Sequence, residues 1–82
     1  MNNWSVYILQ CSDNTYYTGI TTDIEKRLIA HQTGKGAKYT AGRLPVKIVY
    51  FKDNLTESQA RKEEFRIKSL SRSDKIKLIF DK

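Results

Sequence analysis

Five side chains along this chain are of types that move protons or hold ions: Tyr7, Tyr17, Arg27, His31 and one of the adjacent pair Glu63 and Glu64. A phenol or imidazole exchanges protons, an arginine fork clamps charged oxygens, and a carboxylate binds a hard cation. More familiar apparatus is missing from the sequence, which has no Walker-type phosphate loop, no GxSxG turn and no HExxH helix. Cys11 and His31 are the only residues of their kinds. An intrachain disulfide and a structural Cys/His zinc set are therefore excluded. With no activating neighbour in view, Cys11 reads as a small buried apolar residue.

These groups need a scaffold, and local pattern supplies one. Trp4, Val6 and Ile8 alternate with Ser5, Tyr7 and Leu9, which reads as a strand to Gln10. Cys11 to Thr15 is turn chemistry, and Tyr16 to Thr21 is a second strand paired with the first as a hairpin. On that hairpin Tyr7 and Tyr17 lie on adjacent strands and can face one side. Gly19 weakens its strand, so its expected use is to let another backbone or a ligand approach. Thr22 with Glu25 predicts a capped first helix, with Ile24 and Leu28 on its core face and Arg27 and His31 on the neighbouring stripe. Gly34 and Gly36 follow its end, and a loop rich in Lys, Tyr and Arg runs to Pro45.

Val46 to Lys52 is dense in β-branched and aromatic residues, a third strand expected to be buried on much of both faces. Thr56 with Gln59 opens a second helix to about Leu70, with Ala60, Ile67 and Leu70 as its apolar stripe. At about 100° per residue, Glu64 lies about 40° to one side of Ala60 and Glu63 about 60° to the other. Both glutamates therefore border the stripe, and geometry alone does not choose between them. A third helix is expected from Ser71, with Ile76, Leu78, Ile79 and Phe80 inward. The order ββαβαα predicts a single α/β sandwich domain over residues 1–82, with a three-stranded antiparallel sheet flanked by three helices.

Charge narrows the partners. The 82 residues carry a net charge of +6. Four basic and three acidic residues precede Gly42, while eleven and six follow Ala41. Such an excess suits nucleic acid or another polyanion, and it also serves plain solubility. No stretch is long and apolar enough for a membrane span. A free thiol and no visible export signal make the cytoplasm the default expectation. Each candidate residue also has an ordinary use: strand tyrosines pack across strands, and helical Arg, His and Glu solvate a face or pair along the helix, as Glu64 would with Lys68.

Ser5-Val6-Tyr7, Tyr17-Thr18-Gly19, Arg27 to His31 and Ala60 to Glu64, in this order on strand, strand, helix and helix, resemble the GIY-YIG nuclease superfamily. The resemblance spans nearly the whole chain, and the segment Gly34 to Thr40 looks like the compact stand-alone bacterial branch. Ser5, Val6 and Thr18 depart from the Gly, Ile and Ile of the motif names, which changes packing more than chemistry. The resemblance implies the same antiparallel sheet with helices. It also implies motif roles for Tyr7, Tyr17, Arg27 and His31, with Gly19 as the motif glycine and Glu64 as the glutamate that binds one Mg²⁺ or Mn²⁺.

The implied reaction is metal-dependent, endonuclease-type hydrolysis of phosphodiester bonds. Arg27 would clamp non-bridging oxygens, and Tyr7 or Tyr17 would take the water proton or relay it with His31. Lys35, Lys38, Tyr39 and Arg43, with Arg61, Lys62 and Lys68 behind, would grip nucleic acid, DNA ahead of RNA. Phosphate contacts carry no sequence information, so intrinsic specificity is expected to be low. The rival readings are a non-catalytic nucleic-acid-binding module and a domain that binds an acidic protein partner through its basic half.

Overall fold

In the computed structural model, residues 2–80 are described. The elements are β1 (Trp4–Gln10), β2 (Tyr16–Thr21), α1 (Ile24–Gln32), α2 (Lys38–Ala41), β3 (Lys47–Leu55), α3 (Glu57–Lys68) and α4 (Arg72–Phe80). They build the expected α+β fold around a three-stranded antiparallel sheet in the order β2-β1-β3. The turn chemistry at 11–15 closes the hairpin. Asn14 takes a left-handed backbone with φ of 67°, and the Asp13 carboxylate accepts the Thr15 N–H and hydroxyl. The resulting register sets Tyr7 opposite Gly19 and Leu9 opposite Tyr17.

β1 is the central strand, and Ser5 to Leu9 are all buried. Because successive strand side chains alternate in direction, β1 feeds two layers. Val6 and Ile8 pack with Leu55, Ala60, Ile67 and Ile79 in the layer of α3 and α4. Tyr7 and Leu9 pack with Cys11 and Val46, against Tyr17, Ile24 and Leu28, in the layer of α1. Cys11 is buried, as its composition suggested.

Four expectations change. β3 runs to Leu55 and is an edge strand, much of it exposed, rather than one buried on both faces. α3 lies mainly against β1 and β2 and leaves β3 less covered, and the charges of Lys47, Lys52 and Asp53 suit an open edge. The α1 cap is Asp23, not Thr22, its carboxylate accepting the Lys26 N–H at 3.1 Å. Thr21 still pairs in β2 and its hydroxyl accepts the Asp23 N–H, which moves the helix start one residue on. The loop before Pro45 holds an extra single helical turn, α2. Phe80, expected inside, is 73% exposed, because Ile79 takes the inward place on α4. The Thr56–Gln59 capping box forms in full. No helix among the described residues is long and apolar enough to cross a membrane.

Candidate active site

Tyr7 and Tyr17 come from neighbouring strands, Arg27 and His31 from one face of α1, and all four meet over the hairpin. The Tyr7 hydroxyl lies 2.9 Å from His31 Nε2. Arg27 Nε approaches the same hydroxyl at 3.5 Å, and another guanidinium N–H donates to the Gly36 carbonyl at 3.0 Å. The His31 ring centroid is 5.8 Å from that of Tyr7 and 5.2 Å from that of Tyr17. On the far side of the imidazole, Nδ1 lies 2.9 Å from the Thr40 hydroxyl on α2.

Two glycines make this closeness possible. A Cβ on Gly19 would sit 2.6 Å from the Tyr7 hydroxyl, so what approaches there is the Tyr7 side chain rather than the backbone or ligand expected. A Cβ on Gly36 would fall 2.5 Å from His31 ring atoms. Both distances are well inside van der Waals contact, and neither position accepts a side chain without moving the site.

Burial and charge set the protonation states. Tyr7 is 1% exposed, and burial pushes its phenol above the usual tyrosine value against the lowering pull of Arg27. His31 is wholly buried, and that burial, aided by the Arg27 charge, lowers its pKa and favours the neutral ring. Arg27 is held more firmly protonated by its bond to Tyr7.

The two glutamates separate. Glu63 forms a forked pair with Arg66 at 3.0 Å, which with the nearby Lys52 charge of β3 holds its carboxyl below the usual range, and its own charge is felt by Tyr50. Glu64 is half-buried, pairs with Lys68 at 3.2 Å, and its charge reaches the Tyr7 phenol. α3 and α1 cover opposite faces of the sheet, and the link from Glu64 to the cluster is this electrostatic one. Glu64 makes no hydrogen bond to the other four.

The expected grip residues fall into two groups. Tyr39 stacks on Tyr17 with centroids 6.0 Å apart, which brings the 35–43 segment to the site with Lys35 and Lys38 exposed. Arg43 is committed inside the molecule: it pairs with Asp13 at 3.0 Å and lies over the Tyr39 ring. On α3, Arg61 pairs with Glu57 while Lys62 is exposed. Thr40 and Gly36 were not visible as site residues in sequence. A threonine and a glycine in a lysine-rich loop carry no signature, and only the fold shows that both touch His31.

Comparison with known proteins finds relatives over nearly the whole chain. The model of the GIY-YIG catalytic domain matches residues 3–77. A UPF0213 protein of Oceanobacillus iheyensis is 54% identical over 74 residues, covering 90% of this chain and 86% of its own. One from Halobacterium salinarum is 50% identical over 70 residues, covering 85% and 91%. The solution NMR structure of a UPF0213 protein from Bacillus halodurans superposes with a TM-score of 0.62 at 44% identity, covering 96% of this chain and 83% of that one. A second NMR structure, of a protein from E. faecalis, gives 0.63 at 38% identity, covering 96% and 88%.

Proposed function

The chain belongs to the GIY-YIG nuclease family, and from that premise we propose that it is an endonuclease hydrolysing nucleic-acid phosphodiester bonds with the help of a divalent ion. The observation that carries this reading is the seat of Arg27. Two of its N–H groups are taken by Tyr7 and Gly36, which aims the fork while leaving donors free for phosphate. Phosphodiester hydrolysis adds charge to the non-bridging oxygens, and a pre-aimed guanidinium stabilises that charge without reorganising.

The tyrosines then divide the work. Tyr7 is enclosed and kept protonated, so it serves as a structural donor and acceptor inside the cluster. Tyr17 is only partly buried and borders Arg27 and Tyr39, so it is the phenol placed to meet an attacking water and take its proton.

Glu64 is the carboxylate that would hold Mg²⁺ or Mn²⁺. Among the described residues no group of three or more His, Cys, Asp and Glu side chains forms a metal cage. One half-buried carboxylate fits a hard ion that keeps its waters and shares substrate phosphate oxygens, and it does not fit zinc. When bound, such an ion supplies Lewis-acid polarisation of a phosphate oxygen. The Lys68 ammonium pairs with the same carboxylate. Lys35, Lys38 and Lys62 are exposed cations for the phosphate backbone, DNA ahead of RNA, with low sequence preference.

The test is incubation with labelled single-stranded, duplex, branched and RNA substrates in Mg²⁺, Mn²⁺ or EDTA, for the parent and Glu64→Gln. Metal-dependent cleavage by the parent is expected, with a sharp fall in Glu64→Gln and unchanged binding in EDTA. Salt-sensitive binding without cleavage under any condition would make this a binding module instead.

A further inference from the structure

The hydrogen bonds around His31 can be assigned a direction from both ends, and the two ends agree. At one end, the Thr40 hydroxyl lies 3.1 Å from the Ala37 carbonyl, which can only accept. A hydroxyl has one proton, and given to Ala37 it leaves the Thr40 oxygen to accept from His31 Nδ1–H. At the other end, the Tyr7 oxygen already accepts from Arg27 Nε–H. Were His31 protonated at Nε2, the Tyr7 oxygen would receive two donors and its own buried proton would have no acceptor. With Nε2 bare, Tyr7 donates to it at 2.9 Å and the phenol proton has its acceptor.

We propose that Thr40 is a positioning residue that locks His31 in the Nδ1–H tautomer, so that Tyr7 must point its proton at Nε2 and its lone pairs at Arg27. The chain runs one way, from Arg27 to Tyr7 to His31 to Thr40 to the Ala37 carbonyl. The same short segment supplies Gly36, whose carbonyl takes the other Arg27 bond. Residues 36–40 therefore set the acceptors on which the arginine fork rests, although none of them lies in the strands or helices that carry Tyr7, Tyr17, Arg27 and Glu64. Imidazole in water prefers the opposite tautomer, so the lock needs a specific partner at Nδ1.

His31 is the only histidine, so its ring gives the only imidazole ¹⁵N signals in a labelled sample. The experiment compares parent, Thr40→Ser and Thr40→Val by ring ¹⁵N spectra, thermal melt and single-turnover cleavage. The parent and Thr40→Ser are expected to show a protonated Nδ1 and a bare Nε2. Thr40→Val keeps the shape but loses the acceptor, and its ring is expected to shift toward Nε2–H or an average. Its cleavage is expected to fall about tenfold or more, the scale of one buried hydrogen bond, with Thr40→Ser close to parent.

A parent ring protonated at Nε2 overturns the proposal, and this reading needs no variant to fold. So does a folded Thr40→Val that keeps the Nδ1–H pattern, or that loses it yet cleaves at the parent rate. The rate effect rests on the nuclease reading, whereas the tautomer does not. A parent that shows the Nδ1–H ring but cleaves nothing sinks that reading and leaves the lock standing.

Discussion

The two faces of the sheet are built from alternate residues of the same central strand, yet they are held together by different physics. Beneath α3 and α4, Val6 and Ile8 meet Leu55, Ala60, Ile67 and Ile79, with Thr18, opposite Ile8, as a buried polar neighbour. Beneath α1, the Tyr7 layer also encloses the polar His31–Thr40 pair, both 0% exposed. The apolar face tolerates rearrangement that preserves volume, because dispersion and burial have no direction. The polar face does not, since each buried donor needs its own acceptor and a single loss leaves another group orphaned. One face supplies stability, and the other spends some of that stability on orientation.

The comparison breaks most clearly in the apolar face. Ile67→Ala removes a fully buried side chain from α3, and a loss of about 2–5 kcal/mol of folding stability is expected. Denaturant unfolding should show it, while the cleavage rate per folded molecule and the His31 ring spectrum stay at parent values. A site spectrum that changed with Ile67 would mean that the two layers are not separable.

Arg27→Lys makes the converse case. The charge remains, but one ammonium cannot reproduce a fork resting on both Tyr7 and Gly36. Cleavage is expected to fall by 10²–10³, about 3–4 kcal/mol by analogy with the loss of one oxyanion donor. The melt should drop by only the scale of one lost hydrogen bond, about 1 kcal/mol, because Arg and Lys have nearly equal helix propensity. Parent-like single-turnover cleavage by the folded variant would make Arg27 ordinary surface.

The smallest effect is a pH dependence of stability from the polar face. His31 is packed by Arg27 of its own helix, Tyr7 of β1, Tyr17 of β2 and Thr40 of α2. Its folded pKa lies below the unfolded value of 6.5 because of burial and then Arg27. Between those two values the unfolded chain binds more protons, so stability falls as the pH drops through 6.5 and levels off below the folded pKa. Urea midpoints from about pH 7.5 to 5.5 should decline, in a window above the carboxylates Asp13 and Glu63, whose pKa values are lowered. A flat midpoint across that window would mean that His31 is free to take a proton in the folded state.

Much of this was readable before the fold. The hairpin and the facing of Tyr7 and Tyr17 followed from period-two alternation and a turn at 11–15, and the Thr56–Gln59 box formed as spaced. Cys11, a small residue with no activating neighbour in sequence, is buried as expected. The wheel placed Glu63 and Glu64 either side of the α3 stripe but could not separate them. What separates them is the neighbour each meets, with Arg66 and Lys52 beside Glu63 and Lys68 beside Glu64, whose charge reaches Tyr7.

What the sequence determined by itself is therefore what neighbours along the chain determine: turns, caps, strand alternation and the helical spacing of Arg27 and His31. Those interactions close within a few residues, and side-chain type and period are enough to specify them. Tertiary structure alone decided that β3 is an open edge rather than buried on both faces, because coverage depends on where α3 comes to rest. It alone brought Gly36 and Thr40 against His31. A buried ring nitrogen needs a partner but does not say which residue provides it, and the nearest loop that fits beneath the imidazole is known only when the chain has packed.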